Sequence, residues 1–118
     1  MLLPCKLELR YYVASGGRQP FAEWFAELEP VSRARVTRAI VQLEHGNFSN
    51  VKSVGEGVLE YRIDFGPGYR VYFGRDGKAL VILLTGGTKK RQQRDIEAAH
   101  GYWRTYKQSA RRRRSTQT

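Results

Sequence analysis

Arg62, Asp64, Arg70 and Tyr72 occupy alternate positions in two short apolar segments, and Lys89, Lys90 and Arg91 follow a Gly86-Gly87 step a little further on. Cations, a carboxylate and a phenol on one stiff patch are the groups that RNA cleavage by its own 2′-hydroxyl needs. That reaction requires an in-line nucleotide, positive charge on the phosphorane, and groups that move protons. Arg62, Arg70 and Lys89 supply the charge. The base is open between Asp64, Tyr72 and a lysine whose pKa is lowered by crowded like charges. A plainer reading is a solvated sheet face with an Asp64–Arg70 cross-strand ion pair, worth little in water.

The elements that must hold these groups are legible as periodicity. Leu59, Tyr61, Ile63 and Phe65 alternate with Glu60, Arg62 and Asp64; Gly66-Pro67-Gly68 turns the chain; Tyr69, Val71 and Phe73 continue the apolar face. Pairing Phe65 with Tyr69 sets Asp64 opposite Arg70 and Arg62 opposite Tyr72. Asp76-Gly77 signals a further hairpin, and Ala79 to Leu84 reads as a central strand covered on both faces. Thr88 can cap a helix from about Lys89 to Tyr106, with Ile96, Ala99, Trp103 and Tyr106 as its apolar stripe. Cations in the first turn of that helix oppose the macrodipole, unless an anion sits on the Gly87 and Thr88 amides.

Upstream, Leu7, Leu9, Tyr11 and Val13 alternate as a half-buried strand. Pro20 opens a helix with Phe21, Trp24, Phe25 and Leu28 on one face, ended by Glu29-Pro30. Ser32 is the expected N-cap of a second helix, with Val36, Ala39, Ile40 and Leu43 inward and Arg33, Arg35 and Arg38 on its other faces. His45-Gly46-Asn47 closes it, and 48–57 reads as loop. The order β-α-α-β-β-β-α predicts an α+β domain over 1–108: a mostly antiparallel sheet with two helices on one face and a C-terminal helix from its edge. Residues 109–118 read as a disordered basic tail.

Bulk composition narrows the partners. The 118 residues carry Lys+Arg 21 against Asp+Glu 11, a net charge of +10, which speaks for a polyanionic partner. No Cys/His cluster has metal spacing, and Cys5 reads as inert. No phosphate-loop spacing appears, so neither metal nor cofactor is expected. Neither a signal peptide nor an 18-residue apolar span is evident, which predicts a cytoplasmic protein with no membrane partner. His45 and His100 read as structural, and Tyr12 and Tyr72 as candidates for stacking on bases.

Glu60-Tyr61-Arg62-Ile63-Asp64, Gly66 to Phe73, and Leu84-Thr85-Gly86-Gly87-Thr88-Lys89 together resemble the phage-derived Gp49-like, HigB-type addiction module killer proteins of the RelE/ParE superfamily. The likeness spans roughly Tyr11 to Tyr106, with Asp95-Ile96 and Tyr102-Trp103 also in pattern. It implies a toxin that cleaves mRNA on the translating ribosome, held inactive by an antitoxin that is usually a helix-turn-helix protein. By position it implies Arg62, Arg70 and Lys89 as functional, with Tyr72 and Asp64 orienting or accepting protons. Lys90, Arg91 and the Arg33, Arg35 and Arg38 face would bind RNA. Thr88 stands where an acidic residue is expected and Lys90 where a small polar one is, so the helix start is unusually basic. A gyrase-directed toxin of the same fold and a non-catalytic basic binding module are the rival readings.

Overall fold

A computed structural model describes residues 6–116. Its elements are β1 (Glu8–Tyr11), α1 (Pro20–Ala26), α2 (Pro30–Glu44), β2 (Val51–Ser53), β3 (Leu59–Ile63), β4 (Tyr69–Asp76), β5 (Leu80–Thr88) and α3 (Gln92–Thr116). The five strands lie in the order β1-β5-β4-β3-β2, with β1 parallel to β5 and every other pairing antiparallel. The expected α+β architecture is present. One strand is added: β2 falls in the segment read as loop, where Val51-Lys52-Ser53 has too little apolar alternation to show in a sequence.

The sheet is covered on both faces, and strand alternation decides which layer each side chain joins. Val71, Phe73, Val81 and Leu83 pack under α1 and α2 against Phe21, Val36, Ala39 and Leu43. Tyr72, Ile82 and Leu84 point the other way, against Ala99 and Trp103 of α3. α3 is therefore a second cover rather than an element leaving the sheet edge. Two glycines let indoles lie flat on the strands. A Cβ at Gly74 would stand 2.5 Å from the Trp103 ring, and one at Gly86 would enter the ring of Trp24.

Three local expectations are corrected. Ser32 is not an N-cap: Pro30 takes the first helical position, Glu29 precedes it, and Ser32 is buried with its hydroxyl 2.8 Å from that of Tyr69. The β3–β4 register is Ile63 with Tyr69, Arg62 with Arg70 and Glu60 with Tyr72, leaving a loop over 64–68. Phe65 thus leaves the strand, and Arg35 stacks on its ring at 4.4 Å. Gly66 and Gly68, both at positive φ, make the wider loop possible. Finally, helix continues through the basic residues expected to be a disordered tail. Ala110 is buried there and Arg114 reaches Asp76 at 3.1 Å, so the arginines extend α3 through Thr116.

Candidate functional site

β3 and β4 set Arg62 directly opposite Arg70, and β5 brings Gly87 opposite Arg70 on its other side. The next row along the same face is Lys52, Glu60, Tyr72 and Thr85. A register shift between Tyr72 and Phe73 leaves Leu84 as an extra residue in β5. Such a bulge reverses the alternation beyond it. It is the reason Gly86 turns to Trp24 while Gly87 turns to α3, where a Cβ would collide with the Asp95 carboxylate.

The polar face is not the solvated one that residue types suggest. Glu60 and Tyr72 are fully buried and Arg70 is 4% exposed, because the start of α3 lies over them. Glu60 Oε2 accepts hydrogen bonds from the Tyr72 hydroxyl and from Gln92 Nε2, each at 2.9 Å. Arg70 Nε stands 3.9 Å from the same oxygen, and Lys52 Nζ 3.8 Å from Oε1. Arg70 Nη1 donates to the Gly68 carbonyl at 2.8 Å, and that carbonyl also accepts the Lys89 N–H at 2.8 Å. One turn carbonyl thus fixes the guanidinium and the start of the basic segment together. Glu60 Oε1, Arg70 Nε and Asp95 Oδ2 are buried without a hydrogen-bond partner among the described residues.

This geometry reassigns several residues. Tyr72 is no proton acceptor and no stacking platform: burial first, and the neighbouring Glu60 carboxylate second, push its pKa well above the phenol range. Its hydroxyl is a donor that orients Glu60. Asp64 does not face Arg70. It is exposed in the hairpin loop and lines a cleft of about 340 Å³ with Arg35, Arg38 and Arg62, between α2 and β3. Arg33 is half-buried and does not line that cleft.

Lys89, Lys90 and Arg91 form a 3-10 turn ahead of α3, all exposed. The first turn of α3 itself contains Asp95, so the clash with the macrodipole is weaker than the sequence suggests. Burial raises the pKa of Asp95, against the pull of Arg91 and Arg94. Tyr12 is buried and stacked on Tyr102 at 5.1 Å, which removes it as a base platform. His100 is structural, with Nε2 2.9 Å from the Val54 carbonyl and Nδ1 3.0 Å from Glu56. Among the described residues, no three His, Cys, Asp or Glu side chains converge to hold a metal; Cys5 lies outside those residues.

Glu60, Gln92, Asp95 and the Gly68 carbonyl are the members that sequence reasoning missed. Glu60 and Asp95 left a trace, Glu60 as a charged residue between Leu59 and Tyr61 and Asp95 beside Ile96 in the family pattern, but neither sequence position shows what covers it. The site is a charged hairpin under a helix start: buried Glu60 and Arg70 below, exposed Lys89, Lys90 and Arg91 at the start of the cover, and exposed Arg62 at the hairpin edge, where it lines the cleft toward α2. Residues 23–112 match the phage-derived protein Gp49-like family, and the chain belongs to it. It is similar to an uncharacterised protein of Haemophilus influenzae, 44% identical over 80 residues that make up 67% of this chain and 81% of the relative.

Among the described residues, no helix is long and apolar enough to cross a membrane.

Proposed function

We propose that this protein is the toxin of a type II toxin–antitoxin pair, an endoribonuclease that cuts mRNA on the ribosome in the cytoplasm. The observation that carries the reading is the Arg62–Arg70 pairing. Like charges directly opposite on adjacent strands destabilise a sheet, and the arrangement makes sense where an anion is received. Glu60 offsets part of that repulsion from below. It leaves the exposed Arg62 and Lys89 to meet a phosphate, while Arg70 adds its field from a poorly solvated position.

Roles follow from exposure. Arg62 and Lys89 contact the scissile phosphate and stabilise charge developing on it. Arg70 acts from beneath, anchored on Gly68. With Tyr72 buried, proton transfer from the 2′-hydroxyl and to the leaving oxygen falls to Asp64 and to Lys89 or Lys90. This is a modest catalytic set, so the ribosome contributes by holding the nucleotide in line. A cognate antitoxin, a helix-turn-helix protein in this reading, holds the toxin inactive. Lys90, Arg91 and the α2 arginines Arg35 and Arg38 bind flanking RNA.

The test is induced expression in bacteria with primer extension on a well-translated message, comparing wild type with Arg62→Ala and Arg70→Ala. In-frame cuts that disappear in both variants, with the proteins folded, support the reading. Growth arrest with intact message overturns it in favour of a gyrase-directed toxin, and no arrest in favour of a non-catalytic binding module.

A further inference from the structure

α3 carries two stripes. Ile96, Ala99, Trp103, Tyr106 and Ala110, spaced three and four residues apart, turn toward the sheet. Arg104, Lys107, Arg111 and Arg114 repeat at three, four and three along the adjoining face, and all four are exposed. At a rise of 1.5 Å per residue this basic stripe is about 15 Å long. It exists because the terminal arginines are helical and so stand in register with Arg104 and Lys107.

The surface beneath the stripe is shaped. A cleft of about 370 Å³, lined by Glu56, His100, Arg104 and Lys107, meets at Lys107 another of about 190 Å³, with Arg75, Arg111 and Arg114 around a floor of Trp103, Tyr106 and Ala110. Two carboxylates steady its ends. Arg104 Nη1 lies 3.5 Å from Glu56 Oε1, and Arg114 Nη2 3.1 Å from Asp76 Oδ1. Both arginine side chains remain mostly exposed, at 60% and 72%, and a guanidinium has five N–H groups, more than one carboxylate takes up.

We propose that this stripe is a second RNA-binding surface, which grips the sugar–phosphate backbone of double-stranded RNA. Nucleic-acid interfaces are polar and strongly positive, whereas protein interfaces centre on apolar and aromatic anchors and exclude charge from the core. Among the described residues the large exposed apolar side chains are Tyr11, Val13, Val31 and Val41, and none of these is on α3. Trp103 and Ala110 at the floor of the smaller cleft are themselves buried, so an acidic protein would find charge here with little exposed apolar surface to anchor it. Duplex RNA is held mainly through its phosphates and 2′-hydroxyls, which such a stripe matches.

The stripe is separate from the hairpin site. Gln92, bonded to Glu60, precedes Arg104 by twelve residues and Arg114 by twenty-two, or about 18 and 33 Å along the axis. One splayed nucleotide cannot touch both, so the stripe takes a different stretch of RNA. Its setting on the ribosome rests on the function proposed above; its affinity for duplex RNA does not.

The experiment is fluorescence anisotropy of a labelled RNA hairpin with the full-length protein, titrated between 50 and 200 mM KCl. Arg111→Gln/Arg114→Gln should make the slope of log K against log salt shallower by roughly two, and adding Arg104→Gln and Lys107→Gln by roughly four, because each lost phosphate contact removes about one counterion. Arg62→Gln should abolish mRNA cleavage yet change the duplex slope by no more than about one. An unchanged slope in the folded double variant would overturn the proposal; that variant decides if the fourfold one does not fold. So would loss of binding to a poly-glutamate peptide with duplex binding intact. Shallower slopes alongside uncut message would retain the stripe and remove the nuclease.

Discussion

Tyr72→Phe isolates the bond that organises the site. The phenol oxygen is fully buried and donates at 2.9 Å to a carboxylate that is itself fully buried, so no water replaces it when it is removed. Glu60 then keeps one good donor, Gln92, and two cations beyond ordinary hydrogen-bond distance. Hydrogen bonds to charged groups are worth about 1.5–3 kcal/mol, and an unmatched buried acceptor costs in the same range. The expected loss is about 2 kcal/mol. In urea unfolding the midpoint should fall with the m-value unchanged. A cycle with Glu60→Gln should return a coupling of about 1–2 kcal/mol, since the two residues touch. Cleavage should fall as Glu60 and Arg70 lose their orientation, although Tyr72 reaches no substrate. A stability loss below about 0.5 kcal/mol, or no coupling in the cycle, would refute the view that the Tyr72–Glu60 bond organises the polar face.

Gly74→Ala should cost about 3 kcal/mol or more in a thermal or urea melt, because its Cβ would stand 2.5 Å from Trp103 on a strand that cannot retreat. Gly77→Ala, with open space around it but φ at +75°, should cost only about 1 kcal/mol, which separates collision from backbone strain. Burial, followed by the 2.6 Å bond to Asp76, pushes the Tyr106 pKa up to about 12. The folded state therefore holds this proton more tightly than the unfolded one. The resulting stability is complete below the ordinary tyrosine pKa of about 10 and is lost as pH rises from there to about 12. Tyr106→Phe should flatten stability across that alkaline window. Ser32→Ala should lower stability by about 1 kcal/mol by unpairing the buried Tyr69 hydroxyl.

Much of this architecture is written in periodicity. Phe21, Val36, Leu43, Val71, Phe73 and Trp103 are core residues that alternation or helical spacing places correctly. What escapes is set by backbone geometry or by distant parts of the chain. The β3–β4 register turns on whether Phe65 ends the strand or begins the loop, and two positive-φ glycines on either side of Pro67 settle that. A two-residue shift keeps the apolar face intact while exchanging every polar partner, so the core is legible where the site is not. Glu60 is read as exposed because nothing local announces that α3 will cover it. The cover itself is set by the bulge at Leu84 and the Gly87–Asp95 approach, neither of which has a sequence signature. The terminal arginines lack apolar neighbours at helical spacing apart from Ala110, and the helix is visible only once that residue is seen to pack.

The parallel pairing of β1 with β5 has a consequence for the order in which the chain can fold. Glu8 finds its partner at Leu80, 72 positions later, so the sheet closes only after β5 has been synthesised. Contacts of such long sequence separation incur their loop-closure entropy before any stabilisation returns, and they slow folding. Gln92, which completes the bonding of Glu60, is made later still. A nascent chain therefore carries Arg62 and Arg70 without the cover that aligns them until the start of α3 is made, 22 residues after Arg70. In the function proposed here, the toxin is inert on the ribosome that is making it.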